Sequence, residues 1–174
     1  MPNVIYSCFR LILIFSLIIL VYGCNRKENE ENYGTNVHSF LTTQTIKSSL
    51  NALKGENKLL LIINFDDFSC QPCYDDFLDL CDTLTAHFEE KEIEPPVLMA
   101  IKEGNQLQLD NPERLKVWQT YNNARFNSIV ISDSLFKVYF KSSTVMVVRS
   151  DTLIVLRKEL PIGKKTKLQL LEFL

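Results

Sequence analysis

Five consecutive aliphatic residues, Leu59–Ile63, run into the segment NFDDFSCQPCYDDF, Asn64–Phe77. An apolar run this short, without alternation, fits a strand buried on both faces of a sheet, and predicts β-structure over Leu59–Phe65. Such a strand needs covering layers on both sides, so the chain must supply helices before and after it. It does so immediately. Phe77, Leu80, Cys81, Leu84 and Phe88 recur at spacings of three and four over Tyr74–Glu90, one apolar stripe of a helix. Between strand and helix stands a Cys-x-x-Cys pair, Cys70 and Cys73.

The rest of the chain repeats the alternation. Val37–Leu53 carries Phe40, Leu41, Ile46, Leu50 and Leu53, and its later part fits a helix that stops near Gly55. Pro95–Pro96 separates the long helix from a second buried strand, Val97–Ile101. Asn111-Pro112-Glu113 is a helix start, with an N-cap, a proline at the first position and an acid in the first turn. Leu115, Trp118 and Tyr121 form its expected inner face. Ile129–Ile131 reads as a short strand or extended link. Thr144–Val148 and Leu153–Leu156 read as strands around the polar turn Arg149–Thr152, and Lys164–Phe173, with Leu168, Leu170 and Leu171, as a closing helix. The order is helix, strand, helix, strand, helix, strand, strand, helix, an α/β pattern with no repeat. With 174 residues, 46% of them apolar, there is room for one domain, 37–174. A net charge of −2 gives no electrostatic case for nucleic acid. The cations near the C-terminus (Arg157, Lys158, Lys164, Lys165, Lys167) read as a solvated face.

The N-terminus is set apart. Leu11–Val21 is apolar except for Ser16 and follows Arg10, the pattern of a secretory signal core and short for a membrane span. It ends in Leu20-Val21-Tyr22-Gly23-Cys24, which resembles a bacterial lipobox. That resemblance implies a signal peptide over 1–23, with Cys24 as the lipidated first residue of the mature chain; the alternative is an uncleaved anchor. Cys24–Asn36 then serves as a flexible, hydrophilic tether. Either way the domain is expected in the cell envelope, outside the cytoplasm and held to a membrane.

Three chemistries suit the cysteine pair. Structural zinc needs four ligands, and Cys24, Cys81, His38 and His87 are poorly spaced to complete a set. No metal site is therefore expected. A purely structural disulfide closing so short a loop would restrict the unfolded chain little. A reversible dithiol–disulfide site fits best. A helix start stabilises a thiolate on the first cysteine, the second lies one turn on, and Pro72 fixes the turn. Cys81 reads as a small buried hydrophobe, or else a third redox thiol; Trp118 reads as core. Asp66 and Asp67 read as solvated loop carboxylates, with repulsion against a Cys70 thiolate as the alternative role.

With these residues in place, LLIINFDDFSCQPC, Leu60–Cys73, resembles the active-site segment of thioredoxin-like proteins, most closely the membrane-tethered TlpA/ResA group. Asn64-Phe65 stands where that group commonly has Asn-Phe, and Ser143–Asp151 is similar to its substrate-loop strand. The resemblance implies a central mixed β-sheet flanked by helices. It implies thiol–disulfide exchange with extracytoplasmic proteins, with Cys70 attacking and Cys73 resolving, no cofactor beyond the cysteine pair, and a reducing or oxidising partner that resets it. It also implies a substrate loop at Ser143 and Thr144. Ser69 replaces the family's usual tryptophan, and Ser143 stands where the family has a cis-proline; Ser142–Ser143 is expected to be trans. The neutral Gln71-Pro72 between the cysteines favours a reductase or isomerase over an oxidant. The competing reading is a thioredoxin-fold lipoprotein used as a binding scaffold or copper-handling module.

Overall fold

The computed structural model describes residues 37–149 and 153–174. The expected signal peptide, Cys24 and the tether lie outside these residues, as do Ser150–Thr152 of the expected polar turn. Five strands form one mixed sheet in the order β3-β2-β1-β4-β5. They are β1 (Asn57–Ile63), β2 (Val97–Lys102), β3 (Asn127–Ile131), β4 (Thr144–Arg149) and β5 (Ile154–Glu159). After a short helical segment over 37–41, the described residues form α1 (Gln44–Ala52), α2 (Gln71–Glu90), α3 (Pro112–Tyr121), α4 (Asp133–Tyr139) and α5 (Lys164–Phe173).

The central position of β1 follows from its composition. Leu59–Ile63 are all fully buried, as only a strand with neighbours on both edges and layers on both faces can be. It pairs parallel with β2, Leu59 opposite Val97, and antiparallel with β4, Ile62 opposite Thr144. β3 adds to β2 in parallel, and β5 to β4 antiparallel. Alternation sends Leu59, Leu61 and Ile63 into a cluster with Phe77, Leu80, Cys81, Leu84 and Phe88 of α2 and Leu170 of α5. Leu60 and Ile62 point the other way and are equally buried. Phe40, Phe136 and Phe140 are buried outside that cluster, Phe40 meeting Phe140 edge-on at 4.9 Å. A β-α-β unit followed by antiparallel strands and a closing helix is a thioredoxin-like architecture, the central mixed sheet flanked by helices that the sequence implies.

Several local expectations are corrected. The strand over Leu59–Phe65 ends at Ile63: the Asn64 side chain accepts from Asp66 N–H at 3.2 Å and caps a 3-10 turn, Phe65–Phe68. The helix expected in the later part of Val37–Leu53 is α1; Thr42–Thr43, whose hydroxyls both donate to carbonyls three residues back, separate it from the shorter helix over 37–41. Helix α4 was not expected. Ser132 caps it, accepting from Leu135 N–H at 3.2 Å, and Phe136 supplies its buried contact. On α3 Leu115 is buried and Trp118 half-buried, but Tyr121 is 88% exposed and not on the inner face. Leu168 of α5 is likewise exposed. Lys167, read as part of a solvated face, is buried instead: its ammonium pairs with Asp79 and donates to the Asp76 carbonyl, both on α2. Among the described residues no helix is long and apolar enough to cross a membrane.

Candidate active site

Strand β1, the 3-10 turn and α2 are consecutive, so the cysteine pair lies beyond the C-terminal end of the central strand, at one end of the sheet. Cys70 is the N-cap of α2, extended in backbone (φ −98°, ψ 136°) and exposed. Its Sγ accepts from the Cys73 N–H at 3.2 Å, and its carbonyl accepts from Tyr74 N–H at 3.1 Å. Pro72 lies in the first turn, where its missing N–H costs nothing. Cys73 is half-buried against the core cluster. The two are joined as a disulfide with Cα atoms 5.4 Å apart. Once reduced, the outward sulfur sits at the positive end of a 20-residue helix with an N–H directed at it, the setting in which a thiolate is stabilised.

Aromatic rings support the pair from below. Phe77, one turn after Cys73, stacks on Phe68 at 4.8 Å and lies parallel to Trp118 at 6.2 Å, while Phe65 meets it edge-on at 5.9 Å. Trp118 Nε1 donates to the Tyr74 hydroxyl at 2.8 Å, tying α3 to the residue after Cys73. An open cleft of about 610 Å³ lies on this side, walled by Tyr74, Trp118 and the exposed Val117 and Tyr121.

The remaining cysteine among the described residues, Cys81, is fully buried on α2. Burial above all, with the Asp82 charge adding and Lys167 opposing, pushes its thiol far above the ordinary range. That is the chemistry of a core residue and an inert thiol. Among the described residues no three His, Cys, Asp or Glu side chains gather as a metal site would require.

Asp66 and Asp67 are exposed, in keeping with the solvated loop carboxylates expected from sequence, but both also hold hydrogen-bond partners. Asp66 accepts from the Gln106 N–H at 3.0 Å and pairs with Lys102 at 3.4 Å. Burial works against the Lys102 charge, but hydrogen bonds to Asp133 and Asp66 outweigh it and raise its pKa. Asp67 accepts from Ser143, at 2.6 Å from the N–H and at 2.8 Å from the hydroxyl. Sequence reasoning missed this contact, because 76 residues separate the partners. The only hint was that both flank neighbouring strands at the same sheet end.

Ser143 and Thr144 stand at the start of β4, beside the end of β1. Ser143 is fully buried, and its Oγ also accepts from the Asn64 N–H at 2.9 Å. Thr144 is buried within the sheet and donates its hydroxyl to the Ser142 carbonyl at 3.0 Å. The Ser142–Ser143 bond is trans; among the described residues the one cis bond is Leu160–Pro161.

No family model matches the sequence, and no curated protein does. Solved structures are similar in fold. The pneumococcal exposed lipoprotein thioredoxin Etrx1 of Streptococcus pneumoniae is 20% identical, with a TM-score of 0.46 over 72% of this chain and 90% of that one. StoA of Bacillus subtilis is 16% identical, with a TM-score of 0.45 over 71% and 85%. A thiol-disulfide oxidoreductase of Bacteroides fragilis is 14% identical, with a TM-score of 0.45 over 77% and 88%.

Proposed function

We propose that this chain is a membrane-tethered thiol–disulfide oxidoreductase of the cell envelope, acting as a reductase or isomerase on extracytoplasmic proteins. The observation that carries the exchange chemistry is the placing of Cys70, exposed at the N-cap of α2, with Cys73 half-buried one turn on and bonded to it. The tether rests on the apolar run Leu11–Val21 and the lipobox-like Leu20–Cys24, with Cys24 as the lipidated residue.

In the reducing direction the Cys70 thiolate attacks one sulfur of a partner disulfide, and the other partner sulfur leaves as a thiolate. The Cys73 thiolate then attacks Cys70 Sγ, forming the Cys70–Cys73 disulfide and releasing the second partner thiolate. The partner gains two electrons and the pair loses two. An external dithiol or a membrane reductase restores it. In isomerisation Cys73 does not intervene: the first partner thiolate released attacks a different disulfide of the partner, and the thiolate displaced there attacks the mixed disulfide and frees the Cys70 thiolate, with no net transfer of electrons. The neutral Gln71-Pro72 between the cysteines supports this direction, since no cation there stabilises the reduced form as in strong oxidants.

A Cys73→Ser variant tests the assignment. It should accumulate mixed disulfides on Cys70 with envelope proteins, resolved by dithiothreitol, while Cys70→Ser accumulates none. Equal trapping by both variants, or none by either, would sink the assignment. Cys24→Ala should leave the precursor unprocessed or release the protein from membranes.

A further inference from the structure

A partner that docks by adding a strand needs unpaired main-chain N–H and C=O groups to pair with. Ser142–Ser143 is where this protein would offer them, leading into β4 at the end of the sheet from which the Cys70 turn departs. That stretch is already engaged. The Ser143 N–H donates to Asp67 Oδ2 at 2.6 Å, and the Ser143 hydroxyl gives its proton to the same oxygen at 2.8 Å, in preference to the Asn64 carbonyl at 3.2 Å. The Ser143 carbonyl accepts from Leu160 N–H at 2.8 Å, and the Ser142 carbonyl from the Thr144 hydroxyl at 3.0 Å. Asp67 is held in turn: its other oxygen accepts from Asn64 Nδ2 at 2.8 Å.

The contest between this closure and a docking strand is unequal. A bond from an N–H to a carboxylate is roughly twice as strong as one to a neutral carbonyl. A partner's peptide carbonyl would therefore exchange a strong bond for a weaker one.

Resting on the exchange chemistry proposed above, we infer that Asp67 is a specificity-determining positioning residue. It withholds the Ser143 N–H from partners, so that the protein favours disulfides presented by side chains, on compact turns or small molecules, over disulfides embedded in an extended strand. The carboxylate three residues before Cys70 thus reaches the chemistry through the loop and touches no reacting atom.

The test uses the full chain, pre-reduced with dithiothreitol and freed of it, in single turnover against two neutral probes. One is 2,2′-dithiodipyridine, which has no peptide groups. The other is a short unstructured peptide dimerised through its cysteine. The readout is the ratio of the peptide rate constant to the pyridyl rate constant, which cancels any change in Cys70 reactivity. Asp67→Ala frees the Ser143 N–H and should raise the ratio about fivefold, the worth of one net main-chain hydrogen bond. Asp67→Asn, whose amide oxygen still accepts that N–H, should return the ratio towards wild type. A merely structural Asp67 would move both rates together, and an unchanged ratio in Asp67→Ala overturns the inference while leaving the exchange reading intact. A wild-type chain that reduces neither probe overturns both. If Asp67→Ala does not fold, the Ser143 amide decides the matter in the mixed disulfide between Cys70 of Cys73→Ser and the peptide thiol. Hydrogen-exchange protection and chemical shift equal to those of the free protein support the closure; a new contact from Ser143 N–H to the peptide overturns it.

Discussion

Phe77→Leu removes the ring beneath the disulfide while leaving an apolar side chain in its place. Phe77 is fully buried and touches three aromatic rings, Phe68, Trp118 and Phe65, at 4.8, 6.2 and 5.9 Å. Leucine keeps most of the transfer free energy but loses those ring pairs, each worth about 0.5–1.5 kcal/mol beyond area. Partial relaxation offsets some of the loss, so the expected cost is about 2 kcal/mol. Truncation to alanine would cost about 3–5 kcal/mol, against a total stability on the order of 5–15 kcal/mol. Trp118, the single tryptophan, lies in the cluster and reports unfolding by fluorescence. Urea denaturation of the oxidised protein, with far-UV circular dichroism as a second probe, should show a lower midpoint and an unchanged slope. A cost below about 0.5 kcal/mol, the range of surface changes, would refute the claim that this cluster supports the redox helix. The 65% exposed Val138, changed to Ala, supplies the surface comparison.

Lys167 predicts an asymmetry: Asp79→Ala leaves a buried ammonium with only the Asp76 carbonyl and should cost about 2 kcal/mol, whereas Lys167→Met keeps the apolar stem and should cost under about 1 kcal/mol. Equal midpoints in urea would contradict it. The His87 pKa is lowered, by burial first and by the Lys91 charge second, with Glu90 opposing; among the described residues its buried Nε2 has no partner. The folded state therefore holds the proton less firmly, so the His87 contribution is intact above about 6.5 and is lost as pH falls from there towards the depressed folded value. Thermal melts should show that decline in wild type and not in His87→Leu. In the reduced domain iodoacetamide should label Cys70 first and Cys81 last; early labelling of Cys81 would overturn the account of its burial.

The sheet was legible because its signals are local. Leu59–Ile63 and Val97–Ile101 are apolar at every position, and the cysteine pair interrupts a strand-to-helix handover that periodicity alone marks. Cap residues located α3 through Asn111, whose side chain accepts from the Glu113 and Arg114 N–H groups. Equivalent chemistry at Ser132 marks α4, but seven residues give too few turns for periodicity to show. What was hidden depends on distant partners. Tyr121 keeps helical spacing with Leu115 and Trp118, yet α3 buries so narrow a face that Tyr121 points to solvent. Lys167 is buried because Asp79 waits on another helix, and Asp67 is occupied because Ser143 arrives from β4. No pattern within a window of either sequence segment encodes such meetings.

The most direct test of the central claim is a redox titration of the full chain against glutathione, followed through Trp118. Reversible exchange predicts one two-electron transition of the Cys70–Cys73 pair, with the fold retained on both sides, between about −120 and −280 mV, the span of exchange-active thioredoxin-fold pairs. A pair that stays oxidised below about −300 mV, or that is reduced only as the domain unfolds, would make the disulfide structural and contradict the account.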